Sequence, residues 1–267
     1  MRDVWADLYR QLSYDYCMSM EEVSDDQNHF SEYRPVPGRR RFRTTDGCVL
    51  KVTAVNRKLL FTGKKDIIEA CRKEYADTTG DWFMDVKHFS KLDEILQPYG
   101  LSMRSAHPFY LPSFDAGTAA LIKAEDEAVL GHDYEIVRYG REEIEQFRGD
   151  DRFKEAYSFD EYAPDVIGVG AIRNGEIIGM AGASADSDLL WQIGINVEPQ
   201  ARGKHLGAHL VRILKQDILD KGHTPFYGTS MSNIGSQRVA HHAGFVAAWA
   251  EVVSEDPETI AAAEAQS

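Results

Sequence analysis

Between a strand-like run that ends at Val197 and a helix-like run that begins near Leu206 lies Gln200-Ala-Arg-Gly-Lys-His-Leu-Gly207. Gly203 and Gly207 let a ligand come close to the main chain. Arg202 and Lys204 bring full positive charges to the same turn. The first amides of a helix have no partner within it, and the helix dipole puts partial positive charge at that end. Together these features make a seat for a phosphate or pyrophosphate group. The glycines by themselves fit equally well a turn that merely starts a helix. The loop has no GxxxxGK followed by Ser or Thr, and no GxGxxG within repeated βαβ units, so neither of those nucleotide-binding motifs is present.

The rest of the chain bounds what such a site can serve. At 267 residues it is long enough for two domains, and 43% apolar with 27% charged residues excludes global disorder. No apolar run approaches the roughly 18 residues of a membrane span. The acid-bearing start, Met1 to Asp7, does not resemble a secretory leader. Cys17, Cys48 and Cys71 are odd in number and far apart, which points to neither a disulfide framework nor a zinc cluster. The expectation is a cytoplasmic protein without a metal, a membrane or a nucleic acid. Net charge is −13, and it is uneven: residues 1–115 carry 17 bases against 18 acids, residues 116–267 only 13 against 25. An acidic surface repels nucleic acid and favours cationic partners. Glu251 to Ser267 hold five acids and no base, which reads as a frayed or loosely docked tail.

The elements that must position the loop can be read from periodicity. Val4, Trp5, Leu8, Leu12 and Tyr16 recur at helical spacing. Ser24 to Gly38 has loop chemistry. Arg39 to Arg43 reads as the solvated face of an edge strand rather than a phosphate or RNA contact. Val49 to Val55 and Lys58 to Phe61 make a hairpin about Asn56-Arg57, followed by helices near 67–75 and 89–96. His107 to Pro112 marks a boundary, which gives an accessory α+β domain at 1–115 and a second domain at 116–267. In the second, Tyr134 to Tyr139 is a strand, and 142–147 and 153–159 are short helices. A hairpin about Asn174-Gly175 joins Val166–Ile172 to Glu176–Ala185, and Leu189 to Val197 is the next strand. A helix from Leu206 to about Ile218, a strand at 225–229, a helix from Asn233 to His242 and a final strand from Phe245 complete the order. Strand, helix and strand in that order imply a right-handed crossover and a parallel pair. The fold class is α/β with a mixed sheet.

This order, with Val197 to Leu210 reading V-x-P-x-x-R-G-x-x-x-G-x-x-L and ten residues lying between Asn233 and Gly244-Phe245, resembles the GNAT superfamily of N-acetyltransferases over about residues 130–255. Arg202 and Gly207 fall on the first and last places of that family's loop, Q/R-x-x-G-x-G/A. The resemblance implies acetyl-CoA as cosubstrate and transfer of its acetyl group to a primary amine of a small molecule or a protein, by direct attack. It implies that the pantetheine arm meets open backbone near Ile195 and Val197. It further implies that the amides of Arg202, Gly203, Lys204, His205, Leu206, Gly207 and Ala208 take the pyrophosphate, and that Asn233 faces the pantetheine. Two positions depart from the family. His205 stands where the middle glycine belongs. Its ring can crowd the phosphates, bind them as a cation or point to solvent, as side chains at helix starts usually do. Ala240 stands where the family often has a tyrosine that protonates the thiolate. His241 and His242 follow it but face elsewhere on a helix, and Tyr227 and Ser230 are alternative donors. For the base the candidates are Asp186, Asp188 and Glu198, each of which also fits a plain strand-end acid. The catalytic candidates are thus Asp188, Glu198 and Tyr227. A homodimer is compatible with this reading. The alternative is a non-catalytic acyl-CoA-binding protein or sensor with a degenerate site.

Overall fold

Two turns with paired positive φ values set the registers of the sheets. Asn56 (+46°) and Arg57 (+70°) close one hairpin, and Asn174 (+55°) and Gly175 (+81°) close another. Such pairs match the right-handed twist of the strands they join. The computed structural model describes residues 2–40, 49–129 and 133–255, and its architecture is mixed α/β. The chain forms two compact units, neither continuous in sequence: residues 1–7 with 110–247, and 8–109 with the chain from 248 onward.

The second of these units begins within α1 (Val4–Asp15) and contains α2 (Met20–Ser24), β1 (His29–Glu32), β2 (Leu50–Val55), β3 (Lys58–Gly63), α3 (Lys65–Tyr75) and α4 (Val86–Leu96). It also takes residues 102–109 of β4 (Ser102–Pro112) and residues from 248 on of β10 (Phe245–Glu255). Its strands run in the order β1-β3-β2-β10, with β1 parallel to β3 and the other pairs antiparallel. Phe61, Ile68, Cys71, Tyr75, Phe83 and Leu92 form a core between this sheet and α3 and α4.

Several expectations are corrected here. The loop expected at 24–38 contains β1, whose four residues pair with Leu60 to Gly63. His107–Pro112 is not a loop but the end of the 11-residue strand β4, and the division between the two units falls within it, between Phe109 and Tyr110. Arg40 does not lie on a solvated face; it is 2% exposed. The Asp15 carboxylate accepts both the Arg40 backbone N–H, at 2.7 Å, and its Nε. The Arg40 Nη2 donates to Glu251, and the Lys51 Nζ lies 3.9 Å from Asp15 and 3.6 Å from Glu251. Two cations and two anions thus neutralise one another out of water, which is what allows Arg40 to be buried. Glu251 belongs to β10 and is buried, so the tail reading fails for residues 251–255. Arg41 to Arg43, Cys48 and residues 256–267 lie outside the described residues.

The other unit adds α5 (Ala116–Val129), which the sequence reading missed, then β5 (Glu135–Gly140), α6 (Arg141–Ile144), β6 (Asp165–Arg173), β7 (Glu176–Ala185) and β8 (Leu190–Val197). It continues with α7 (Leu206–Asp220), β9 (Thr224–Gly228) and α8 (Ile234–His242). Strands run β9-β8-β7-β6-β5, antiparallel from β5 to β8, with β8 and β9 parallel about the α7 crossover. One face carries α7, through Leu206, Leu210, Val211, Leu214 and Ile218. On the other face Gly168, Gly182 and Gly194 stand opposite one another across β6, β7 and β8. The chain at 155–157 lies in the trough they leave. A Cβ on Gly168 would meet the Tyr157 Oη at 1.8 Å, one on Gly182 the Ala156 carbonyl oxygen at 2.1 Å, and one on Gly194 the Glu155 carbonyl oxygen at 1.7 Å. This packing explains why 153–159 is not the helix expected: only Asp151–Phe153 makes a 3-10 turn, and the chain beyond it lies on the sheet instead.

Two outcomes follow from this packing. Gly194→Ala must displace backbone rather than a flexible side-chain tip, so urea unfolding should show a loss of about 1–3 kcal/mol. Arg40→Ala leaves Asp15 and Glu251 buried with one cation fewer, and should cost about 3–5 kcal/mol by the same measurement. Burial raises the Asp15 pKa, but the Arg40 and Lys51 charges and the Arg40 hydrogen bonds outweigh it and hold the carboxyl below its ordinary value. Asp15 therefore contributes stability above the ordinary carboxylate range, and that stability is lost as pH falls through the lowered value. Asp15→Asn should flatten that part of the acid limb.

Candidate functional site

β8 leaves the sheet through a short, well-fixed turn. Pro199–Ala201 is a 3-10 turn whose Ala201 N–H donates to the Glu198 carbonyl at 2.8 Å. The Arg202 side chain folds back, with Nε donating to the Val197 carbonyl at 2.9 Å. Gly203 has φ +71° and nothing within 4 Å of where a Cβ would be, and Lys204 is exposed beside it. His205 also takes a left-handed conformation, φ +59°, as the N-cap of α7, and its side chain makes no capping bond. A residue with a Cβ pays roughly 1–2 kcal/mol for that conformation. The imidazole is exposed and meets His242 edge-on at 5.9 Å between ring centroids. That outcome matches the solvent-facing expectation. The first backbone bond of α7 is His209 N–H to the His205 carbonyl. The amides of Leu206, Gly207 and Ala208 therefore precede the helical ladder. Gly207 lets α7 press on its neighbours: a Cβ there would be 3.3 Å from Val197 and 3.5 Å from Val239.

Beside this helix start, the sheet opens. β8 stays paired with β7 as far as Val197, but its parallel ladder with β9 ends at Ile193 opposite Tyr227. Gly194 to Val197, which include the predicted Ile195 and Val197, thus continue past the last β9 partner. Tyr227, the other member of the last pair, is 1% exposed, and its Oη is 2.8 Å from the Ser236 Oγ in the first turn of α8. Burial pushes its pKa up to about 12; Ser236 opposes the rise, and the charges of Glu155 and Tyr110 add to it. It keeps its proton at neutral pH. Asn233 is the N-cap of α8, and its Oδ1 accepts the Ser236 N–H at 3.0 Å.

The catalytic candidates do not come together. Asp188 is exposed in the hairpin before β8, at the end of the strand away from the loop, and its carbonyl faces the His223 Nδ1 at 3.0 Å. Asp186 is buried and accepts from the Ser184 Oγ at 2.7 Å. Glu198 is half-buried at the loop end of β8. A strand rises about 3.3 Å per residue, so these acids flank the opening at opposite ends of β8. Tyr227 alone stands at the last pair. Ser230 packs against Ser232 at 3.1 Å, and Ala240 is fully buried in the core under α8.

The sequence reading passed over Glu155 and Asn196. Ile193, Ile195 and Val197 turn towards α7. Asn196 faces the other way, and its Oδ1 accepts the N–H of Glu155 at 3.0 Å and of Ala156 at 2.8 Å. The alternation of β8 could have placed Asn196 on that face, but nothing in the spacing of residues 151–157 points to Glu155.

Residues 134–245 match the Acetyltransferase (GNAT) family. Similar solved structures include a GCN5-related N-acetyltransferase-like protein from Streptococcus suis, at 18% identity and TM-score 0.44 over 62% of this chain and 67% of that one. A GNAT-family acetyltransferase from Colwellia psychrerythraea is 14% identical, with TM-score 0.38 over 57% of each chain. An aminoglycoside N-acetyltransferase, AAC(6')-Iy, in complex with CoA, is 23% identical, with TM-score 0.35 over 44% of this chain and 91% of that one. This chain spans less than two thirds of the Colwellia protein's length. No match is found among curated proteins. Over residues 134–245, a little under half of its length, the chain is similar to the GNAT acetyltransferase family.

Proposed function

We propose that this protein is an N-acetyltransferase that moves the acetyl group of acetyl-CoA onto a primary amine by direct attack. The observation that carries the reading is the end of the β8–β9 ladder at Ile193 and Tyr227, next to a helix start that no side chain caps. An extended arm with amide groups can add to the bare edge of β8 as a further strand would. The amides of Leu206, Gly207 and Ala208, with Gly203, Arg202 and Lys204 beside them, suit a pyrophosphate. His205 leaves that seat clear, because its ring leans towards His242. Bound there, acetyl-CoA supplies a thioester whose carbonyl carbon accepts the amine.

The chain's own contribution then concerns protons and positions. Tyr227, neutral at physiological pH and held by Ser236, is suited to give a proton to the departing thiolate. It offers the hydroxyl that Ala240 does not. Binding without turnover, the second reading, is favoured by Ala240 and opposed by Tyr227. The net charge of −12 over residues 116–267 suits a cationic acceptor.

Acetyl-CoA offered with a panel of primary amines should release free thiol, and Tyr227→Phe should lower kcat by about 10- to 100-fold. Calorimetry should find CoA binding that Arg202→Ala with Lys204→Ala weakens about tenfold, or ~1.4 kcal/mol. Binding with no thiol release from any amine would favour the sensor, and no binding at all would end both readings.

A further inference from the structure

The face of β8 turned away from α7 carries a carboxylate to which the donor-side reading gives no task. The main chain of Glu155 lies against Gly194, the first residue past the last β8–β9 pair. Asn196 fixes that main chain through its two N–H bonds, so Glu155 has a defined place beside the opening. Its side chain is exposed, and among the described residues none forms a hydrogen bond or ion pair with the carboxylate. The nearby Arg152 is committed to Asp150 at 2.6 Å, and Lys154 is exposed. Tyr227 belongs to the α7 side of the sheet, yet the Glu155 charge acts on its hydroxyl. An acid and a neutral phenol therefore address one gap from its two faces.

We infer that Glu155 is the acceptor-side catalytic residue: it pairs with the ammonium of a cationic primary amine at the opening beyond Ile193 and takes the proton that must leave before nitrogen can attack. The inference rests on the acetyl-transfer reading above. An amine of pKa ~10 arrives protonated at neutral pH. One proton passes from R–NH3+ to the Glu155 carboxylate and on to water. The freed lone pair forms the C–N bond, and the C–S bond breaks with its electron pair on sulfur. The second N–H proton ends on that sulfur by way of the Tyr227 hydroxyl. The products are an amide, a thiol and one released proton. Asn196 is a positioning residue in this scheme, since it acts only through the Glu155 backbone.

Two CoA thioethers test the pairing without knowledge of the natural acceptor. S-(2-aminoethyl)-CoA carries an ammonium close to sulfur, and S-propyl-CoA has a methyl group in its place. The wild-type protein should bind the ammonium compound about three- to tenfold more tightly by calorimetry at neutral pH. Glu155→Gln, which keeps every main-chain contact, should erase that preference and leave S-propyl-CoA binding unchanged. With any amine that turns over, Glu155→Gln should lower kcat/KM by about 10²- to 10⁴-fold, and Glu155→Asp should recover part of the loss. Equal binding of the two thioethers by the wild type, or a preference that survives in Glu155→Gln, would overturn the role of Glu155 and leave the CoA site standing. Failure of both thioethers to bind would remove the underlying reading as well.

Discussion

Strand β8 has to be straight enough to stay paired with β7 along its whole length while giving up β9 after Ile193. A bare strand edge is unstable to slippage and to pairing with other chains. What holds this one is contact on both of its faces. On one side Gly207 brings the first turn of α7 onto Val197 and Ile195. On the other, Gly194 admits the Glu155 main chain, and Asn196 clasps it with two hydrogen bonds. Both contacts depend on a missing Cβ, so the row of small residues across β6, β7 and β8 is what lets the edge stay open without becoming loose.

The same residues fix where charge can appear. α7 begins with uncapped amides, and α8 ends against cations: the Lys215 Nζ donates to the Ala243 carbonyl at 2.6 Å, and the Arg212 Nη1 to the His242 carbonyl at 3.2 Å. Positive charge from those two side chains meets the negative end of the α8 dipole and stays in the core. Among the described residues the amides at the start of α7 receive no such partner from a side chain. An anion approaching the unit thus finds uncommitted donors at one helix end, while the carbonyls at the end of α8 are already engaged.

What the sequence made legible follows from how local the signals are. Paired positive-φ turns at Asn56-Arg57 and Asn174-Gly175, the α7 periodicity and the 200–207 turn are written in neighbouring residues, and each is found where it was expected. Long-range compensation was not legible. Arg40 looked solvated because its partners, Asp15 and Glu251, are 25 and 211 residues away in sequence. The 153–159 segment has helical periodicity, but the trough of Gly168, Gly182 and Gly194 holds it in an irregular path. What Gly168, Gly182 and Gly194 make room for lies in another segment, so their own neighbours in sequence do not announce it.

Proton traffic gives the site a direction. A phenol whose pKa burial lifts to about 12 keeps its proton at neutral pH, so in that state it can donate one but not take one up. In the proposed acetyl transfer the group such a donor can serve is the departing thiolate. In the proposed transfer Tyr227 therefore serves the sulfur, and a different group has to serve the nitrogen. Asp188 and Glu198 flank β8 at its two ends, several residues from the point where the strands part, whereas Glu155 rests on Gly194 at that point. In the proposed scheme the sheet, with Glu155 on one face and Tyr227 on the other, keeps the first proton lost by nitrogen apart from the hydroxyl that serves sulfur.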